Sequence, residues 1–190
     1  MKIILGSQSK GRSEVLERMG ISFTVMSADI DEKLVRRDGA QELTKAIALA
    51  KADVLLDQIT YPAMLITADT VILCNGKIRE KAATREEAAD FLREYSICPL
   101  QTVTAVVITN TTTREQKEGA DIATVWFRPI PEEIIVQMAA RPDIISFAGA
   151  FAFQDPLQRQ YVDRFEGEEE SILGLPKALT LRLLNEFGAV

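Results

Sequence analysis

The chain has no histidine. This excludes Ser-His-Asp and Cys-His nucleophilic machinery, a histidine general base and histidine metal ligation. Any hydrolysis must draw on carboxylates, lysines, hydroxyls or a carboxylate-bound metal, and hard oxygen ligands point to magnesium or manganese rather than zinc. Cysteine is nearly as scarce. Cys74 and Cys98 are the only two, they match no metal or redox spacing, and they read as reduced core thiols of a cytosolic protein. No apolar run is long enough to span a bilayer, and no signal peptide is expected ahead of the first strand. Acidic residues outnumber basic ones, 28 to 22, for a net charge of −6. That balance argues against a nucleic-acid or membrane-surface binder, which needs a basic face, but leaves room for a local basic pocket around a small polyphosphate.

What is present is an alternation of strand and helix signals over 190 residues, the pattern of an α/β fold in one domain or one domain with a modest second lobe. A strand at Lys2 to Gly6 leads to a helix carrying Val15, Leu16 and Met19 at helical spacing, and Ile21 to Met26 reads as a second strand. A long helix follows from about Ala40 to Asp57, then a strand from Ala63 to Leu73 and an Asn75-Gly76 hairpin turn into Lys77-Ile78-Arg79. Thr84 and Glu87 form a capping box for a helix reaching about Tyr95. Gln101 to Asn110 and Asp121 to Arg128 read as strands around a polar hairpin tip. Pro131-Glu132-Glu133 opens another helix, with the proline in its first turn, and Pro176 opens a terminal helix through Leu184.

Between the first strand and helix lies Ser7-Gln8-Ser9-Lys10-Gly11-Arg12. Two hydroxyls and two cations at a helix N-terminus, where backbone N–H groups and the helix dipole favour an anion, suit a phosphate. Taken alone, the hexapeptide is better accounted for by a plain cap, with Ser7 or Ser9 at the N-cap position and solvated cations, so the balance has to be tipped elsewhere in the chain.

Charges elsewhere sit against the local pattern. Ile47, Ala50, Val54 and Leu55 form the apolar stripe of the long helix, and at 100° per residue Lys51 falls inside it, whereas Lys45 points away. A lysine there must snorkel outward or meet an anion. In Leu65-Ile66-Thr67-Ala68-Asp69-Thr70-Val71-Ile72-Leu73 a carboxylate interrupts a buried strand, a costly position unless Asp69 finds a cation, a metal or several donors. Glu80-Lys81 adds an acid and a base past the hairpin. Asp29, Asp31 and Glu32 place three carboxylates within four residues, of which Asp29 and Asp31 read as a solvated loop. The set Ser7, Ser9, Arg12, Glu32, Lys51, Asp69 and Lys81 suits phosphoryl chemistry, in which cations neutralise phosphate oxygens and acids hold a metal or activate water.

In order and spacing these motifs resemble the Maf family of nucleoside-triphosphate pyrophosphatases. Ser7-Gln8-Ser9-Lys10-Gly11-Arg12 is similar to that family's Ser-x-Ser-x-x-Arg signature. Asp31-Glu32, Lys51 in Ala-Lys-Ala, Ala68-Asp69-Thr70-Val71, Glu80-Lys81, Phe147-Ala148-Gly149, Phe153-Gln154 and Leu173-Gly174-Leu175-Pro176 follow in the family's order. The resemblance implies an elongated α/β fold like that of inosine triphosphatases, a mixed sheet with flanking helices and two lobes around a cleft. It also implies metal-dependent cleavage between the α- and β-phosphates of a nucleoside triphosphate, giving monophosphate and pyrophosphate. By this match Ser7, Ser9, Arg12, Lys51 and Lys81 grip the phosphates. Glu32 and Asp69 serve the metal (magnesium, manganese or cobalt) and the water, with Asp69 the proton acceptor. A homodimer in the cytoplasm, with roles in nucleotide house-cleaning and without nucleic-acid or membrane partners, is the corresponding expectation.

Three positions bear on the base. Relatives acting on dTTP and UTP usually carry an arginine where this chain has Gly11, and those acting on 7-methyl-GTP an aromatic ring; Thr70 and Gln154 match the dTTP/UTP branch. Ser96 to Gln101 replaces a common Gly-x-x-His segment, and Ala82 replaces a usual proline. The wording around Ile30-Asp31-Glu32-Lys33 and Gly174-Leu175-Pro176-Lys177 resembles a divergent branch also found in plants. The expected substrate is therefore a pyrimidine or a modified nucleoside triphosphate. Two other classes compete: a nucleotide-binding regulator with little catalysis, and an orthophosphate-releasing phosphatase, for which Asp29-Ile30-Asp31 has the spacing of an Asp-x-Asp nucleophile but sits at the end of a short polar strand.

Overall fold

The computed structural model describes residues 1–189. Its elements run β1 (Lys2–Leu5), α1 (Lys10–Arg18), β2 (Thr24–Val25), α2 (Ala40–Leu56), β3 (Ala63–Cys74), β4 (Lys77–Arg79), α3 (Arg85–Tyr95), β5 (Leu100–Asn110), β6 (Gln116–Phe127), α4 (Glu132–Ala139), α5 (Pro156–Arg159), β7 (Val162–Glu166), α6 (Glu169–Ile172) and α7 (Lys177–Asn185). A mixed sheet of seven strands has the order β2-β1-β3-β5-β6-β7, with β4 paired to β3. The α/β class and the flanking helices expected from the sequence are present. No helix among the described residues is long and apolar enough to cross a membrane.

Two compact units interleave along the chain. The first comprises Met1–Thr70, Thr104–Asp121 and the chain from Glu168 onward; the second comprises Val71–Val103 and Ile122–Gly167. In the first unit β1 pairs in parallel with both β2 and β3, as β-helix-β crossovers require. Its core packs Ala48, Ala52, Leu55 and Leu56 of α2 on Ile4, Leu65 and Val107 from three strands. In the second unit β4 and β7 pair antiparallel with β3 and β6. A file of rings, Tyr95, Phe127, Phe151, Phe153 and Phe165, fills it with centroids 5.7–6.1 Å apart. The Tyr95 hydroxyl donates to the Gly149 carbonyl at 2.7 Å, which satisfies the one polar atom of a buried ring.

Several sequence expectations are corrected. The second strand covers only Thr24–Val25, because Ile21 to Phe23 have no partner in its short parallel ladder with β1. Strand β6 begins at Gln116, five residues early, since its polar start still pairs across the hairpin. Pro131 is the N-cap of α4 rather than a first-turn residue. On α2 the buried face runs through Ala48, Lys51, Ala52 and Leu55, and Val54 is turned outward. The capping box at Thr84 forms: Thr84 accepts from Glu87 N–H at 3.2 Å, although the Glu87 carboxylate reaches Ala83 N–H instead of the cap residue's own.

The two cysteines are free thiols, as expected, and the fold brings their sulfurs to 2.9 Å. Burial and the contact with Cys98 push the Cys74 thiol up to about 12.

Candidate active site

The parallel register decides what surrounds the Ser7–Arg12 turn. Leu5 of β1 lies opposite Ile66 of β3, and Gly6 N–H donates to the Ile66 carbonyl at 2.8 Å. Strand β1 stops there while β3 continues, so Asp69 and Thr70 emerge beside the turn at the carboxyl end of β1. In open α/β sheets ligands bind at such carboxyl ends.

Alternation along β3 then sorts the side chains. Thr67 and Asp69 face α2: the Thr67 hydroxyl donates to the Ala48 carbonyl at 2.8 Å, and one turn further Lys51 Nζ meets Asp69 Oδ1 at 2.8 Å. Lys51 also meets Glu32 Oε1 at 2.7 Å. Glu32 is delivered by a 3-10 turn, Glu32–Leu34, capped by Asp31, whose carboxylate accepts from Lys33 N–H. The lysine and Asp69 side chains are 10% and 9% exposed and Glu32 36%, so Asp69 is the inner carboxylate and Glu32 the outer one. Lys51 thus pairs rather than snorkels, and Asp69 has found its cation. Burial pushes the Asp69 carboxyl above the usual aspartate range; Lys51 and Arg12 oppose that rise, and Glu32 adds to it.

Thr70 faces the other way, toward Arg12. The Arg12 guanidinium is buried and held by three neutral oxygens. Nε donates to the Gly174 carbonyl at 2.9 Å, Nη1 to Ser7 Oγ at 3.0 Å and Nη2 to Thr70 Oγ1 at 3.2 Å. Negative charge reaches it through space from Asp69 and Glu32, which offsets part of the downward pull of burial on its pKa. Ser9 is the N-cap of α1, accepting from Arg12 N–H, and Ser7 Oγ accepts from Ser9 N–H at 3.2 Å. The loop hydroxyls therefore do both things the sequence allowed: they cap a helix and they hold the arginine. Asp29 and Asp31 are exposed, in keeping with a solvated loop.

Ser7, Ser9, Gly11, Arg12, Glu32, Lys51, Asp69 and Thr70 all belong to the first unit. Lys81 and Gln154 belong to the second. Lys81 is exposed and forms an isolated bridge with Ala148, and Gln154 is an exposed residue of the turn before α5. The sequence reading missed Thr104, Ser171 and the role of Gly174. Thr104 Oγ1 lies 2.9 Å from Thr70 Oγ1 and donates to the Ser171 carbonyl at 3.5 Å. The available signal was a set of buried threonines, Thr102, Thr104 and Thr109, in a strand that between Gln101 and Asn110 is otherwise apolar.

Among the described residues no group of three or more carboxylates or thiols could enclose a metal alone. Glu32 and Asp69, both within hydrogen-bond distance of one lysine, nevertheless fit a divalent cation of the magnesium type. Such ions take one or two carboxylates and complete their shell with water and substrate phosphate.

A family model described as "Maf-like protein" matches residues 2–187. Among curated proteins the chain is 39% identical to a 7-methyl-GTP pyrophosphatase of Dictyostelium discoideum, over 97% of this chain and 96% of that protein. It is 34% identical to a dTTP/UTP pyrophosphatase of Bacillus velezensis, over 98% and 96% respectively. Among solved structures a HAM1 protein from Coxiella burnetii is similar in fold, with a TM-score of 0.53 at 15% identity over 98% of each chain.

Proposed function

This chain belongs to the Maf-like protein family, and from that premise we propose that it is a nucleoside-triphosphate pyrophosphatase, cutting the α–β anhydride to release nucleoside monophosphate and pyrophosphate. The observation that carries the reading is a buried arginine held by neutral oxygens, one of them from Thr70, the strand neighbour of a buried carboxylate that is itself paired to a lysine. A buried guanidinium without a carboxylate in its hydrogen-bond set is poised for an incoming anion, and its planar fork matches phosphate oxygens.

In the proposed reaction Arg12 and the ammonium of Lys51 bind the triphosphate and stabilise charge that grows on the leaving pyrophosphate. Asp69 accepts the proton of the attacking water at its carboxylate, a task suited to a carboxyl whose burial raises its proton affinity. Lys51 keeps Asp69 ionised and oriented between turnovers. Ser7 holds one edge of Arg12 and can turn its hydroxyl hydrogen toward a phosphate oxygen. A divalent cation held by Glu32 and Asp69 would supply neutralisation of the phosphate oxygens. Lys81 is proposed as a further phosphate contact and Gln154 as a base contact, on the resemblance of their motifs alone.

The relatives' names support two substrate classes, a pyrimidine triphosphate and a methylated purine triphosphate. A panel of standard and modified nucleoside triphosphates, each with magnesium, manganese and cobalt and scored for pyrophosphate, separates them. Pyrophosphate from at least one member is the expected outcome. Tight triphosphate binding by calorimetry with no turnover of any member would replace the enzyme with the nucleotide-binding regulator.

A further inference from the structure

Gly11 occupies the second position of α1, where alanine would suit a helix better. The reason for glycine lies across the site. A Cβ built on Gly11 would stand 2.7 Å from the backbone carbonyl oxygen of Leu173, closer than such atoms approach, so any side chain there must displace backbone. The next residue, Gly174, supplies the carbonyl that receives Arg12 Nε. It sits at φ +89°, in the left-handed region that favours glycine, and a Cβ on it would come within 3.1 Å of Thr70 Oγ1 and 3.5 Å of Arg12 Nε. Ser171, three residues earlier, receives the Thr104 hydroxyl, which in turn meets Thr70, the second oxygen on Arg12. The Ser171 side chain is tied to Asp121 of β6 at 2.5 Å. The segment Ser171–Gly174 is thus anchored at one end and pressed against α1 at the other, with Arg12 between them.

We propose that Gly11 is a positioning residue for Arg12 and does not read the base: its bare Cα seats the Leu173 carbonyl against α1, and that seat, with the Thr70–Thr104–Ser171 chain of oxygens, sets the direction of the guanidinium. The inference rests on the reading of Arg12 as a phosphate ligand. A side chain at Gly11 pushes the Leu173–Gly174 turn outward and takes the Gly174 carbonyl away from Nε. Loss of the Thr104 hydroxyl frees Thr70 in the same way from the other side. Both changes act on the phosphates, which every nucleoside triphosphate shares.

The test is steady-state kinetics of Gly11→Ala on dTTP, UTP and 7-methyl-GTP, beside Arg12→Ala, Thr104→Val and Thr104→Ser. Gly11→Ala should lower kcat/KM about tenfold on every substrate, with ratios between substrates held within about twofold and the same split between KM and kcat as Arg12→Ala. Thr104→Val should reproduce the loss and Thr104→Ser, which keeps the hydroxyl, should restore it. In the Arg12→Ala background Gly11→Ala should add less than about twofold, because both act through one group. A shift of about tenfold in the ratio between substrates, or a full additive loss in that background, overturns the proposal. If melting shows Gly11→Ala to be unfolded, the Thr104 pair decides, and equal losses in Val and Ser overturn it. An unchanged kcat/KM in Arg12→Ala would instead bring down the phosphate reading itself, a result distinct from the others.

Discussion

Asp69 and Thr70 are adjacent in β3 and serve opposite faces of it: Asp69 Oδ1 takes Lys51 at 2.8 Å, and Thr70 Oγ1 takes Arg12 at 3.2 Å. One rigid strand therefore sets the spacing between the carboxylate proposed to accept a proton and the arginine proposed to hold the phosphates. Asp69 lies on that buried strand and Arg12, on α1, is tied to it through Thr70, which limits their relative motion, as positioned catalysis requires.

Asp69→Asn keeps the shape of the side chain and removes the proton acceptor. Turnover should fall by about 100-fold or more, the usual worth of a general base. The fold should survive, because Lys51 retains Glu32. Pyrophosphate release and a thermal melt on the same preparation check both halves, and near-normal turnover would remove Asp69 from the mechanism.

Lys51→Met tests the electrostatics through pH. With the lysine gone, burial acts on Asp69 unopposed by its nearest cation, so its folded-state pKa rises further above the unfolded value. A raised folded pKa means the folded state binds the proton more tightly. The stability it contributes is present below the ordinary aspartate range and is lost as pH climbs through the folded value. The variant should therefore melt further below wild type at pH 8, where a loss of about 3–5 kcal/mol is typical for breaking a buried pair, than at pH 5. A pH-independent difference would show that the pair carries no such linkage. The acid limb of kcat/KM should move upward in parallel.

Arg12→Lys retains the charge but not the fork. A single ammonium cannot satisfy Gly174, Ser7 and Thr70 in one plane, so kcat/KM should fall nearly as far as in Arg12→Ala, about 100-fold. Wild-type kinetics in Arg12→Lys would reduce the role of the residue to charge alone.

Cys74 should be inert in the folded protein. Its thiol is buried and pushed up to about 12, so at pH 8 the thiolate is scarce. Iodoacetamide should label Cys98, which is part-exposed, well before Cys74 in native protein, and both together once the chain is unfolded. Equal labelling of the two in native protein would contradict the burial described.

Lys51 and Asp69 were legible in the sequence because each contradicts a strong local pattern, a charge in a helical stripe and a charge in a buried strand. The pattern located the misfit even though Val54, counted in the stripe, turns outward. Arg12 was legible as a cation near a helix N-terminus, but its three oxygen partners were not, because two of them come from 58 and 162 residues away. Thr104 carries no charge and a residue type common in strands, so its one local mark, a place among the threonines of an apolar stretch, does not single it out from Thr102 and Thr109. Strand β7 was missed for the opposite reason: Val162–Glu166 is a short, polar edge strand whose pairing with β6 is a tertiary event. The same holds for Cys74 and Cys98, whose separation in sequence matches no motif although their sulfurs touch.

The most direct measurement is product identity. The protein is incubated with a substrate triphosphate and a divalent cation, and the nucleotide and phosphate products are separated for wild type and for Asp69→Asn. Monophosphate and pyrophosphate in equal amounts from wild type, falling by about 100-fold or more in the variant, is the predicted result. Diphosphate with orthophosphate, or undiminished pyrophosphate from Asp69→Asn, would contradict it.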